Sequence, residues 1–146
     1  MIKHFMVLYI KEDALNHQGA DEFLKLWIWK EQQMAKQLVA DLYGCGEIID
    51  DPEGIKEAAH TAIKYVGAEI VEECIHEFEP IGVTYFAVIT TSHFSVHTWP
   101  EFGYAAIDIF SCTDAVVDGI SEKLRELFQA KKVKIKVIER DIRSGE

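Results

Sequence analysis

Cysteine is scarce in this chain, and the few cysteines present lie far apart. The 146 residues contain three, Cys45, Cys74 and Cys112, with no Cys-x-x-Cys pair among them. An odd count at wide spacing excludes the paired framework of a disulfide-rich secreted domain. The composition therefore predicts a reducing compartment, and we expect a cytoplasmic protein.

Long apolar runs are missing as well. Hydrophobic residues make up 49% of the chain, yet no stretch approaches the roughly 20 residues that a membrane-spanning helix needs. The apolar start, residues 1–10, lacks the basic leader and the small-residue cleavage site of a signal peptide. We therefore expect no membrane partner, and the apolar residues remain available for a core.

Positive charge is in short supply. The chain has 15 Lys and Arg against 25 Asp and Glu, a formal net charge of −10. Nucleic-acid binders neutralise phosphates with clustered Lys and Arg, so we expect no nucleic-acid partner. The one basic run, residues 131–136, alternates with Val133 and Ile135, which is typical of a strand with one solvated face.

From residue 37 onward, strand-like and helix-like segments follow one another in the order β-α-β-β-β-α-β. The predicted strands are residues 37–43, 68–78, 83–90, 92–97, 104–112 and 132–139, and the predicted helices run from Asp51 to Tyr65 and from Thr113 or Asp114 to about Ala130. This order predicts an α+β fold, a two-layer sandwich with a largely antiparallel sheet and both helices on one face. Aromatic residues such as Tyr85, Phe86 and Phe110 favour a dimer in which the sheets of two copies pack together.

Residues 1–34 are predicted to form an N-terminal extension, and residues 35–146 the main domain. A strand over residues 3–10 and a helix over residues 20–37 fit the spacing of the apolar residues in this part. We interpret the extension as an added helix that covers an apolar patch.

Reactive side chains crowd into residues 90–101, TTSHFSVHTWPE, and Cys112 follows one strand later. Each residue type alone is ordinary in a strand, since Ser and Thr pair well across strands. Their density in one strand-turn unit indicates a functional site.

Residue chemistry alone leaves two other kinds of site open. His93 and His97 share one strand face and, with Glu101 or Cys112, could bind a divalent metal. We rank this interpretation last, because two histidines at that spacing occur by chance, and expect no metal. Ser92 with His97 could act as a hydrolase pair, but no GxSxG elbow surrounds Ser92.

A long motif spans the same stretch: Ser92-His93, residues 97–108 (HTWPEFGYAAID) and residues 110–112 (FSC). Together with residues 78–83 (FEPIGV), it resembles the core of the prokaryotic S-adenosylmethionine decarboxylase proenzymes at that family's spacing. The likeness covers roughly residues 36–140, and its length makes a chance match a poor explanation.

The resemblance implies a self-processing enzyme. Ser92 attacks the carbonyl of Thr91, the chain is cut into residues 1–91 and 92–146, and Ser92 becomes a pyruvoyl group. The pyruvoyl ketone forms a Schiff base with the amine of the substrate and draws electrons as carbon dioxide leaves, so no separate cofactor is needed.

The resemblance also assigns roles to individual residues. His97 matches the histidine that moves protons during self-processing, and Cys112 the donor of a proton to the substrate carbon. Thr84 stands where the family usually has a serine that assists processing.

For substrate binding, Phe78 matches the aromatic ring that stacks on adenine, and Glu101 the acid that binds the ribose hydroxyls. The family site lies between two protomers, which implies a homodimer of processed protomers.

Three positions depart from the family pattern. Ala35-Lys36-Gln37 replaces Gly-Arg-His, Asp41 replaces a glutamate of the first strand, and Thr91 replaces the glutamate before the processed serine. The resemblance implies S-adenosylmethionine decarboxylation for spermidine synthesis, and this is the function we expect. The departures predict a weaker grip on a cationic substrate and so open a second hypothesis. A pyruvoyl-dependent ornithine or arginine decarboxylase, or an unprocessed regulatory or binding paralogue, is the alternative.

Overall fold

The computed structural model describes residues 34–112 and 118–142. The order of helices and strands confirms the predicted one over this part of the chain. The strands are β1 Met34–Tyr43, β2 Ile70–Glu77, β3 Val83–Ile89, β4 Ser92–Trp99, β5 Tyr104–Ser111 and β6 Lys132–Asp141; the helices are α1 Pro52–Tyr65 and α2 Ile120–Leu127; 3-10 turns occupy Glu47–Asp50 and Pro100–Phe102. No helix among these is long and apolar enough to cross a membrane.

The six strands form one open sheet in the order β2-β3-β4-β5-β1-β6. Every neighbouring pair runs antiparallel. The hairpins β2-β3-β4-β5 keep chain order, and β1 then lies between β5 and β6, which leaves β2 and β6 as the edges. The predicted α+β class with an antiparallel sheet is confirmed.

Helix α1 begins and ends as the sequence predicts. The Asp51 side chain accepts a hydrogen bond from the backbone N–H of Glu53 at 3.2 Å, and Pro52 fills the first turn, where no N–H partner is needed. At the other end Gly67 has a φ of +76°, a conformation that glycine adopts without steric cost. The N–H groups of Gly67 and Ala68 bond back to Lys64 and Ile63, which closes the helix.

Several strand ends shift by one to three residues, and two predicted helix boundaries are wrong. The helix predicted for residues 20–37 cannot extend to its last residues, because residues 34–37 already form β1 and pair with the neighbouring strands. Pairing on both sides outweighs the helical spacing of the apolar residues. Helix α2 begins at Ile120 rather than at Thr113 or Asp114, since Gly119 just before it has a φ of +84°. The rest of the extension and residues 113–117 lie outside the described residues.

The sheet has two unlike faces. Residues of β3 and β5 alternate between buried and accessible, and the buried set packs under both helices, as predicted. The core on that side is made of aliphatic and aromatic side chains: Leu38, Leu42, Ile55, Ile63, Tyr85, Phe94, Val96, Ile107, Ile109 and Leu124. No described helix covers the other face, which we call the open face, and Phe86, Val88 and Trp99 remain exposed there.

A polar network ties α1 to the edge strand β2. The carboxylate of Glu73 accepts hydrogen bonds from His60 at 2.6 Å and from the hydroxyl of Tyr85 at 2.7 Å, and Lys56 lies 3.0 Å away. The hydrogen bond from His60, helped by those from Tyr85 and Lys56 and opposed by partial burial, holds the pKa of Glu73 at about 2. The side chain of Tyr85 is buried, so Glu73 satisfies a hydroxyl that water does not reach.

Glu73→Ala is expected to lower the free energy of unfolding by about 1–2 kcal/mol at pH 7, because it strands a buried hydroxyl and removes a partly exposed ion pair. A carboxyl whose pKa is depressed stabilises the fold above its ordinary value of 4.5, and this contribution is lost as the pH falls toward 2. Chemical denaturation at pH 7 and at pH 3 measures both effects. Glu72→Ala, on the other face of β2, is the matched control; equal stability of Glu73→Ala and wild type at pH 7 contradicts the assignment.

Candidate active site

The predicted cleavage site lies where the β3-β4 hairpin meets the end of β5. Thr91 is in the turn and Ser92 opens β4, paired with Ser111. The carbonyl oxygen of Thr91 accepts a hydrogen bond of 2.9 Å from the backbone N–H of Cys112. The structure thus brings together three residues singled out from the sequence: Thr91, Ser92 and Cys112.

Ser92 has an unusual backbone. Its φ is +149°, in a region that residues with a side chain rarely adopt because Cβ crowds the neighbouring peptide. Two features next to the scissile bond are therefore out of the ordinary: a strained serine after it, and a hydrogen-bond donor on its carbonyl. Local sequence gave no signal for either, since both depend on how the hairpin joins β5.

A second cluster of predicted residues lies at the opposite end of β4. The hydroxyl oxygen of Thr84 is 2.9 Å from Nδ1 of His97, its cross-strand neighbour. Phe78, just beyond β2, is half-exposed and packs edge-to-face on His76 with ring centroids 4.7 Å apart. Glu101 is exposed in the 3-10 turn that follows β4. These residues form an accessible surface with an imidazole, a hydroxyl, an aromatic ring and a carboxylate.

The two clusters do not meet within one chain. His97 lies five positions along the extended strand from Ser92, which corresponds to roughly 16 Å. No hydrogen bond or proton transfer can join the two side chains at that distance. The hydrolase interpretation, in which His97 acts directly on Ser92 of the same chain, is therefore not supported by this geometry.

The described residues also give no support to a metal site at His93 and His97. Within residues 34–112 and 118–142, no group of three or more His, Cys, Asp or Glu side chains is arranged to hold a metal ion. His93 instead lies between two phenyl rings, 5.5 Å from that of Phe86 and 5.7 Å from that of Phe110, on the open face. The guanidinium of Arg140 lies over Phe110 at 5.9 Å, so the row ends in a cation on an aromatic ring.

One polar pair near the His97 end was not predicted as part of a site. Tyr104 donates a hydrogen bond of 2.6 Å to Asp41, and its ring packs against Tyr43 and Trp99. Burial, together with this hydrogen bond, raises the pKa of Tyr104 to about 12, so the phenol remains a neutral donor. No local pattern signals this pair, because it joins β5 to β1.

Comparison with known proteins identifies relatives of this chain. Residues 36–141 match the family model described as S-adenosylmethionine decarboxylase. An S-adenosylmethionine decarboxylase proenzyme of Methanococcus vannielii is 40% identical over 114 residues, 76% of this chain and 93% of the relative. One from Moorella thermoacetica is 40% identical over 111 residues, 75% of this chain and 89% of the relative.

A solved structure has the same fold. The crystal structure of the adenosylmethionine decarboxylase from Aquifex aeolicus superimposes with a TM-score of 0.68 at 31% identity, covering 78% of this chain and 96% of that one. The match to the family model and the identity to its members leave one conclusion about descent: this chain belongs to the S-adenosylmethionine decarboxylase family.

Proposed function

We propose that the chain cuts itself between Thr91 and Ser92 and then decarboxylates S-adenosylmethionine, the substrate named in its relatives, to supply spermidine synthesis. The observation that carries this proposal is the geometry at the cleavage site, where a strained Ser92 follows a carbonyl already bonded to the N–H of Cys112. Strain of this kind is typical of residues that take part in a reaction rather than of an ordinary hairpin.

The residues present fit a pyruvoyl group made from Ser92. When formed, that group supplies the carbonyl that accepts the electron pair released as carbon dioxide leaves. Ser92 lies at the start of a strand, so a cut before it leaves the new terminus held by the ladder with β5. In this proposal, the proton for the substrate carbon comes from Cys112, which is exposed and whose backbone N–H bonds to the Thr91 carbonyl.

The separation along β4 favours a site shared by two copies. If His97 and Thr84 assist at Ser92, they must come from a partner, because their own Ser92 lies about 16 Å away along the strand. Consider two copies whose open faces pack together, related by a two-fold axis that lies between the sheets and perpendicular to the strands. The strands of the two copies then run in opposite directions, so the Ser92 end of each copy lies over the His97 end of the other. Two equal sites result.

The open face has the character that such packing needs. Phe86, Val88 and Trp99 expose between 37% and 42% of their surface, and covering apolar surface is the main driving force for association. In the resulting dimer, Phe78 and Glu101 of one copy provide the nucleoside end of the site. Ser92 and Cys112 of the other copy provide the reacting end.

Ser92→Ala is expected to remain one uncut chain with no decarboxylase activity, because no hydroxyl is left to attack Thr91. Intact mass spectrometry after purification distinguishes one chain from two, and a carbonyl reagent detects the pyruvoyl terminus. Ser95→Ala, on the same strand, is the control and is expected to be cut. A Ser92→Ala protein that is cut and active shows that another residue is the nucleophile.

Mixed dimers test the shared site. His97→Ala and Ser92→Ala chains are each expected to be inactive alone, yet a mixed dimer has one intact site, built from Ser92 of the first chain and His97 of the second. Co-expression with two different tags, double purification and measurement of carbon dioxide release reveal it. The matched control pairs Ser92→Ala with Cys112→Ala, whose defects lie in the same half-site and cannot complement. Failure of the first pair to gain activity contradicts the two-chain site.

The substrate is identified by carbon dioxide release from S-adenosylmethionine, ornithine and arginine at matched concentrations. We expect kcat/KM for S-adenosylmethionine to exceed the other two by at least about a hundredfold, because the proposed roles of Phe78 and Glu101 are to bind a nucleoside, which ornithine and arginine lack. Glu101→Gln is expected to raise KM for S-adenosylmethionine more than it lowers kcat. Faster release from ornithine or arginine overturns the substrate assignment while leaving self-cleavage intact.

A further inference from the structure

The unusual φ of Ser92 has a chemical meaning that depends on the proposed self-cleavage. Viewed along the N–Cα bond, Cβ of an L residue is offset from the backbone carbon by roughly 120°. A φ of +149° therefore leaves Cβ about 30° from the carbonyl carbon of Thr91, whereas an ordinary strand residue with φ near −120° holds the two about 120° apart. Attack by Oγ of Ser92 on the carbonyl carbon of Thr91 closes a five-membered ring. The ring can close only if Cβ of Ser92 and that carbonyl carbon are nearly eclipsed about the N–Cα bond.

Two anchors hold the chain just before the bond between Thr91 and Ser92. Thr90 is joined twice to Glu69, since its N–H donates to the Glu69 carbonyl at 2.9 Å and its hydroxyl oxygen accepts from the Glu69 N–H at 3.1 Å. At the next residue, the N–H of Cys112 donates to the Thr91 carbonyl. The Thr91 hydroxyl is buried with no hydrogen-bond partner among the described residues. Among those residues, Thr91 is therefore anchored by a hydrogen bond to its backbone carbonyl, not to its side chain.

The β2-β3 ladder is irregular next to the first anchor. Ile70 pairs with Ile89, but Glu72 pairs with Val88, so one extra residue of β2 interrupts the register. Such bulges bend a strand and change the direction of the neighbouring residues. Beyond the bulge, Glu69 lies opposite Thr90, where the β3-β4 turn begins. The hydroxyl oxygen of Thr90, rather than a backbone carbonyl, accepts the hydrogen bond from the Glu69 N–H.

We propose that Thr90 is a positioning residue for self-cleavage. By fixing the hairpin on Glu69, it holds Ser92 in the ring-closing conformation against the Cys112 N–H. In the step it serves, Oγ of Ser92 bonds to the carbonyl carbon of Thr91 and the C–N bond breaks. The hydroxyl proton ends on the released nitrogen of Ser92, and the Cys112 N–H stabilises the negative charge that develops on the carbonyl oxygen.

The test is the rate of self-cleavage of freshly made protein, followed by intact mass. Thr90→Val and Thr90→Ala remove the hydroxyl, and Thr90→Ser retains it. Losing one positioning hydrogen bond is expected to slow cleavage about fivefold, with rescue by serine. Hydroxylamine, which cuts an ester between residues 91 and 92, should release no more product than in wild type, because the slowed step precedes the ester.

Thr61→Val is the matched control, since it removes a threonine bond to a backbone carbonyl on the exposed surface of α1, away from the hairpin. Melting temperatures in the Ser92→Ala background show which variants fold as uncut chains. Cleavage of a folded Thr90→Val or Thr90→Ala within twofold of wild type overturns the proposal. The proposal is also overturned if neither Thr90→Val nor Thr90→Ala folds, because the Thr90–Glu69 contact is then required for folding and not specifically for cleavage. A wild-type chain that never cuts overturns the proposed function instead, so the two failures are distinct.

Discussion

The pairing of β4 with β5 is the constraint on which the site depends. Its register sets Ser92 opposite Ser111 and brings the N–H of Cys112, the next residue, onto the Thr91 carbonyl. The β3-β4 register sets His97 opposite Thr84 at the other end of β4. A shift of one residue would turn every side chain of β4 to the wrong face and would remove the donor from the scissile carbonyl. The β4-β5 ladder therefore brings the donor onto the scissile carbonyl, and the length of β4 sets the distance between the two clusters.

The division of the sheet into two faces depends on the same alternation. One face is filled by the helices, so its residues serve stability, and the polar network of Glu73 ties that layer to the edge strand β2. The other face has no described helix and carries Thr84, His93 and His97 among exposed aromatic rings. Chemistry-bearing side chains are therefore placed where a second sheet, rather than a helix, can meet them.

Cleavage and binding make different demands on the backbone. The hairpin before Ser92 is held at Thr90 and at Thr91, and Ser92, directly after these anchors, carries the strain. The surface around Phe78 and Glu101 is accessible, as a site for a small molecule has to be. Near that end, Tyr104 donates a hydrogen bond to Asp41. Rigidity at one end of β4 and access at the other suit a reaction that first cuts the chain and then turns over a substrate.

The sequence by itself determined the order of helices and strands along the chain, the start and end of α1 and the family, because alternation, caps and a long motif are local patterns. It could not determine that Ser92 and His97 lie apart, since a motif records proximity along the chain and an extended strand turns five residues into about 16 Å. The φ of Ser92, the Cys112 N–H on the Thr91 carbonyl and the hold of Glu69 on Thr90 were decided by tertiary structure. The two contacts join residues from different strands or turns, and the φ of Ser92 depends on how the hairpin joins β5. Only the assembled sheet fixes all three.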